Sequence, residues 1–211
     1  MKVAALNGSP NRDGNTALAL SHMADSLRED GIETEIIQIG GQVFHGCAAC
    51  GHCRTSEEHM CAFKEDAFVH AVRGMRTADG IILGAPAYYA GIPGDMKSFL
   101  DRAFFSSSSY FRYKVGTVVA IARRAGAVNT ASQLMNFLNL AETITPPSQY
   151  WMAAYGMEKG EVMSDEEGLQ TIRKNAQAMA WLLKIIDAGK GMIPAPNEAR
   201  RERRVFTNFI R

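Results

Sequence analysis

The feature that most limits how this chain can fold is an alternation of short apolar, β-rich runs with longer segments that carry the spacing of amphipathic helices. Strands separated by helical segments build a parallel sheet covered by helices on both faces. Five strands are expected, at Lys2–Asn7, Glu33–Ile39, Gly80–Gly84, Val115–Ala120 and, less strongly patterned, Tyr150–Ala154. Helices are expected at Thr16–Glu29, Asp66–Met75, Pro93–Phe105, Asn129–Ala141 and Glu166–Ala188. In the first, Leu18, Leu20, Met23, Ala24 and Leu27 fall largely on one face; in the last, Leu169, Ile172, Ala176, Met179, Leu183 and Ile186 do the same.

Five strands and their crossovers within 211 residues specify an α/β fold, a flavodoxin-like doubly wound parallel sheet of order 2-1-3-4-5. The domain is expected to span residues 1–188, followed by a C-terminal extension at 189–211. There is no internal repeat and no low-complexity tract. At 46% hydrophobic and 21% charged, the chain is long and apolar enough to bury a core without disulfides or a structural metal, so any metal is expected to be functional. Residues 40–64 fit neither period and form an insertion after the second strand.

Charge and hydropathy exclude two kinds of partner. Lys plus Arg number 23 against 22 Asp plus Glu, without the basic excess of a nucleic-acid binder. The basic cluster Arg200, Arg201, Arg203 and Arg204 reads as a solvated or partner-facing tail. A spanning helix needs about 20 apolar residues, whereas the uncharged stretch Gly80–Gly94 is shorter and broken by Pro86 and Pro93. The first residues run directly into KVAALN, leaving no room for an export leader, and the expected location is the cytoplasm, where thiols stay reduced.

After the first strand comes Gly8-Ser9-Pro10-Asn11-Arg12-Asp13-Gly14-Asn15-Thr16 and then a helix, which gathers backbone N–H groups and small polar side chains at a helix N-terminus. The loop lacks the Gly-Lys-Ser/Thr of a nucleoside-triphosphate hydrolase and the G-x-G-x-x-G of a dinucleotide fold. Ser, Asn and Thr without a lysine suit a terminal phosphomonoester such as that of FMN; a plain turn capped by Asn15 or Thr16 is the alternative. Ligands of such sheets sit beyond the carboxyl ends of the strands. The loops there are unusual too: Ala85-Pro86-Ala87-Tyr88-Tyr89-Ala90-Gly91 offers aromatic faces and close backbone approach, and Ala122-Arg123-Arg124-Ala125-Gly126 offers cationic donors.

These stretches, GSPNRDGNT, APAYYAGIPGDMKSFLDR, ARRAGAVNT and the SQYW of Ser148–Trp151, resemble the NADPH-dependent FMN reductase family over nearly the whole chain. The resemblance implies that Ser9, Asn11, Asn15 and Thr16 bind the FMN phosphate, that Pro86, Ala87, Tyr88 and Tyr89 border the isoalloxazine, and that Arg123, Arg124 and Gly126 complete the site. Lys97 and Asp101, four apart on a helix, are expected to form an ion pair. Asp101-Arg102 belongs to the family pattern and is expected to serve architecture.

All four cysteines fall in the insertion, as Cys47-x2-Cys50-x2-Cys53-x7-Cys61. Three closely spaced thiolates can wrap three corners of a cubane and a fourth can close it, the all-cysteine ligation of a [4Fe-4S] cluster. Other readings are a four-cysteine zinc site, a Cys50-Gly51-His52-Cys53 dithiol, which belongs on a thioredoxin-like fold, and a disulfide framework, which belongs on an exported protein. His45, His52 and His59 punctuate the same segment and are read as solvated. The compact pattern on this frame resembles the iron-sulfur flavoproteins, whose tails RVFTNFIR also resembles. That implies an FMN-dependent oxidoreductase passing electrons between FMN and a [4Fe-4S] cluster, with NAD(P)H or ferredoxin as donor and a quinone, an oxidant or a carrier protein as acceptor. It further implies a homodimer or homotetramer in which the cluster of one subunit approaches the flavin of another. The alternatives are an NAD(P)H-dependent FMN or quinone reductase without a cluster, and a non-catalytic binding module.

Overall fold

Each successive pair of strands is joined through at least one helix, so adjacent strands run the same way and their side chains are covered on both sides. In the computed structural model, which describes residues 1–196 with Val205 and Thr207, the elements follow in the order β1 (Lys2–Asn7), α1 (Asn15–Glu29), β2 (Glu33–Gln38), α2 (His52–Thr55), α3 (Asp66–Thr77), β3 (Gly80–Pro86), α4 (Gly94–Phe111), β4 (Val115–Ala122), α5 (Ala127–Leu140), β5 (Ala153–Tyr155) and α6 (Glu166–Gly189). The arginine cluster at 200–204 and most of the RVFTNFIR tail lie outside the described residues.

The strands form one parallel sheet of order β2-β1-β3-β4-β5, the expected flavodoxin-like order. Val3–Leu6 of β1 and every residue of β4 are buried, which explains their uninterrupted apolar sequence. At the edge, β2 exposes Glu33 and Ile36, and its Glu35 pairs with Lys2 at 2.7 Å. Helix α1 packs on α6, while α3 packs on α4 and α4 on α5. Among the described residues, no helix is long and apolar enough to cross a membrane.

Two elements differ from expectation by three residues or more at one end. Helix α4 continues six residues past Phe105, through the run Ser106–Ser109, residues of modest helix propensity. Ser106 Oγ donates back within the helix to the Ala103 carbonyl at 3.2 Å, and tertiary bonding holds the extension: Arg76 donates to Ser107 Oγ from Nε at 3.0 Å and Nη2 at 2.8 Å. Strand β5 begins three residues later than Tyr150, because Tyr150 and Trp151 form an exposed edge-to-face pair, 4.7 Å between centroids, before the chain joins the sheet. The segment between β2 and α3 is irregular apart from the single turn of α2.

Candidate functional site

The polypeptide leaves β1 through a hydrogen-bonded lock. Asn7, 1% exposed, donates from Nδ2 to Gln38 Oε1 at 2.8 Å and accepts the Ser9 N–H at Oδ1 at 3.0 Å. Gln38 Nε2 in turn donates to the carbonyls of Ser9 and Gly40, both at 2.6 Å. The ends of β1 and β2 are thereby fused, so closely that a Cβ on Gly40 would overlap the Ser9 carbonyl. On the other side the Gly8 N–H donates to the Gly84 carbonyl of β3 at 2.7 Å, where a Cβ on Gly8 would lie 2.9 Å from that oxygen. Neither Asn7 nor Gln38 was singled out by sequence; the available signal was a polar residue closing each of two strand runs.

Of the residues expected at the phosphate, Ser9 and Thr16 are buried, Asn11 is exposed, and Ser9 Oγ accepts the Asn11 N–H at 3.2 Å. Helix α1 begins at Asn15, after an N-cap glycine, Gly14, that offers no side-chain cap, so its first-turn N–H groups face the loop without a side-chain acceptor. Asn15 does not cap the helix. Its Nδ2 donates to the Glu158 carbonyl at 2.9 Å, and its Oδ1 accepts the N–H groups of Gly160 at 2.9 Å and Val162 at 3.4 Å. A fourth loop, residues 156–162 after β5, is thus drawn against the first, reinforced by an ion pair between Lys159 and Asp13. Sequence reasoning missed this loop, which carries no motif.

After β3, the Ala87 N–H donates to the Ile121 carbonyl of β4 at 2.7 Å. Tyr88 and Gly91 then exchange backbone hydrogen bonds at 2.8 and 3.0 Å, closing a two-residue turn in which Tyr89 and Ala90 take φ values of 44° and 74°. Such values are disfavoured outside glycine. Helix α5 holds the turn in place: Asn129 Nδ2 donates to the Ala90 carbonyl, and Gln133 Oε1 accepts the Ile92 N–H at 3.1 Å. Tyr89 projects fully into solvent and Tyr88 is half exposed. Gly126, at φ 92°, starts α5 beside Ala87, again without a side-chain cap. Arg123 and Arg124 are exposed, without a hydrogen-bond or ion-pair partner among the described residues. Pro86 closes β3, partly buried. Contacts from Gly8 to Gly84, Ala87 to Gly126, Ala122 to Gly156 and Gly156 to Asn15 place all four loops along the carboxyl edge of the sheet.

The cysteine segment hangs from a single buried arginine. Arg102 of α4, with no exposed side-chain surface, donates from Nε to Cys61 Sγ at 3.3 Å. Its Nη1 donates to the His45 carbonyl at 3.2 Å and Glu65 Oε1 at 2.9 Å, and its Nη2 to the Phe63 carbonyl at 2.5 Å and Glu65 Oε2 at 2.6 Å. The guanidinium lies 4.0 Å from the Phe68 ring centroid. These bonds hold the Glu65 carboxyl down to about 2. The Lys97–Asp101 ion pair one turn away is present, at 2.6 Å and exposed.

All four cysteines are free; Cys47 and Cys50 are exposed, Cys53 and Cys61 partly buried. Burial, and the nearness of Cys61, Cys47 and Cys50, push the Cys53 thiol up. His59 Nδ1 donates to the Cys53 carbonyl at 3.1 Å, and the His45 ring stacks on Phe63 at 4.2 Å, so these two histidines brace the segment. Among the described residues, no three His, Cys, Asp or Glu side chains converge as tightly as the ligands of one metal ion. The Cys50–Cys53 dithiol lacks its thioredoxin-like context.

Residues 1–158 match the family described as NADPH-dependent FMN reductase. An iron-sulfur flavoprotein of Methanocaldococcus jannaschii is 32% identical over 194 residues, covering 88% of this chain and 99% of that protein. Among solved structures, RosB with a bound 8-demethyl-8-formylriboflavin-5'-phosphate intermediate has a TM-score of 0.68 at 17% identity, over 100% of this chain and 91% of its own. An archaeal flavodoxin has a TM-score of 0.58 at 10% identity, over 87% and 99%. Fold and family together define a flavin-dependent oxidoreductase built on a flavodoxin-like sheet. The chain belongs to the NADPH-dependent FMN reductase family.

Proposed function

We propose that this protein is an electron-transfer iron-sulfur flavoprotein, with FMN in the edge crevice and a [4Fe-4S] cluster on Cys47, Cys50, Cys53 and Cys61. The observation that carries the reading is the grouping of every thiol of the chain on one braced segment, with a buried guanidinium N–H aimed at the sulfur of Cys61. The printed name of the archaeal relative supports it.

When bound, FMN supplies two-electron exchange and the cluster one-electron exchange. The chain's own share is to hold and orient. The uncapped start of α1, with Ser9, Asn11 and Thr16 around it, meets the FMN phosphate, while Asn15 fixes the neighbouring loop and so the width of the crevice. Pro86, Ala87, Tyr88 and Tyr89 border the isoalloxazine, and Arg123, Arg124 and the start of α5 at Gly126 offer donors to its polar edge. NAD(P)H or ferredoxin delivers electrons and a quinone, an oxidant or a carrier protein removes them. Four free thiols suit the reduced cytoplasm.

No hydrogen bond or ion pair among the described residues links a cysteine to the flavin loops. The resemblance to the iron-sulfur flavoproteins supports a homodimer or homotetramer in which the cysteine segment serves the flavin of a neighbouring subunit. A groove of about 670 Å³ between α4 and α5, lined by Phe105, Phe137 and Leu140 and by the charged Arg54, Asp101, Arg112 and Glu142, offers a mixed apolar and charged surface for such packing.

The test is an absorption spectrum of the anaerobically purified protein, with iron and acid-labile sulfide assayed on the same sample and its mass in solution measured. Flavin bands over a broad shoulder, with about four irons per chain, are expected. Flavin without iron or sulfide would reduce the reading to a clusterless FMN or quinone reductase.

A further inference from the structure

A guanidinium has five N–H donors and no acceptor, and buried inside a protein it is stable only if those donors are met. Arg102 meets all five: two on Glu65, two on the carbonyls of His45 and Phe63, and the Nε–H on Cys61 Sγ. Glu65 neutralises its charge through a bidentate pair. The remaining donor is spent on sulfur, a poor acceptor as a neutral thiol and a good one when it carries the negative charge of a metal-bound thiolate. The other partners flank the cysteines: His45 lies before Cys47, and Phe63 and Glu65 follow Cys61. One side chain on the rigid helix α4 thus fixes both ends of the segment and one sulfur within it.

We propose that Arg102 is a positioning residue for the cluster, holding Cys61 in place as its fourth ligand and, through the N–H to sulfur bond, raising the cluster's reduction potential. This rests on the cluster reading above. The direction follows from charge, because a bond from a cationic donor stabilises the more negative, reduced cluster more than the oxidised one. No hydrogen bond or ion pair among the described residues joins Arg102 to the flavin loops, so the flavin keeps its own potential.

The experiment uses the full chain, purified anaerobically, with its arginines isotopically labelled at the guanidinium nitrogens. After reduction by dithionite, pulsed electron paramagnetic resonance should detect an arginine nitrogen coupled to the cluster spin. In Arg102→Lys, which leaves a cation opposite Glu65 but removes the fork, that coupling should vanish, and the cluster midpoint should shift to more negative potential while the flavin midpoint stays fixed. Absence of the coupling in the native protein overturns the proposal, and that arm stands even if Arg102→Lys does not fold. So does an iron-replete Arg102→Lys protein with the native midpoint. Native protein without iron instead removes the cluster reading itself, and is told apart by the iron assay.

Discussion

Asn15 Oδ1 accepts the Gly160 N–H at 2.9 Å, joining the first turn of α1 to a loop 145 residues later in the chain. With the bonds to Glu158 and Val162, one amide side chain sets the spacing between the first and last loops of the site. Asn15→Ala should therefore lower stability by about 1–2 kcal/mol in urea unfolding and weaken FMN retention at the same time. Unchanged flavin retention in a destabilised protein would separate the loop from the site.

Gly40 packs its Cα face directly on the Ser9 carbonyl, with no room for a Cβ. Gly40→Ala should destabilise the protein by about 1–3 kcal/mol and displace the phosphate loop. Gly46→Ala, where nothing lies within 4 Å, should leave thermal unfolding unchanged and serves as its control.

The turn at Tyr89-Ala90 stores backbone strain. Replacing Ala90, at φ 74°, by glycine should raise stability by about 0.5–1 kcal/mol, the strain relieved exceeding the added freedom of the unfolded chain. Calorimetry reads the change directly. A lower melting temperature would mean that the turn is unstrained.

Acid should loosen the cysteine segment first. The Glu65 carboxyl is held at about 2, below its ordinary 4.5, because Arg102 hydrogen-bonds both its oxygens. A depressed carboxyl contributes stability that is complete above the unfolded value and lost as pH falls from there through about 2. Stability measured against pH should therefore fall across that window in the native protein and fall less steeply in Glu65→Gln.

Arg123 and Arg124 are exposed and make no hydrogen bond or ion pair among the described residues, so their removal should cost the fold little, within about 0.5 kcal/mol. If they donate to the flavin, Arg123→Ala or Arg124→Ala weakens FMN binding by about tenfold. Fluorescence titration of the apoprotein with FMN measures this, and equal affinity in both variants would remove the arginines from the site.

What the sequence disclosed depended on the range of the interaction. Strands β1 and β4 were legible because burial on both faces leaves a local, continuous apolar run. The loops after β1, β3 and β4 were legible because each carries its own unusual composition. The reach of α4 through four serines was not, since the partner of Ser107 is Arg76, 31 residues away. Asn7 closed the first expected strand and Gln38 lay inside the second, and only the parallel pairing of β1 with β2 brings their amides together. Arg102 was placed in the architecture from its motif, but its partners lie between 37 and 57 residues distant and nothing local announces them.

Both ends of the cysteine segment are fastened without a cysteine: Gly40 is pinned beneath Ser9, and Glu65 is clamped to Arg102. The thiols of Cys47, Cys50 and Cys53 therefore hang from a frame that is complete without them, while Cys61 meets the last donor of Arg102. Such a loop is a replaceable cartridge, and substitutions at those three positions leave a sheet and a crevice still able to fold. A lineage descending from this chain could shed those thiols and keep the crevice.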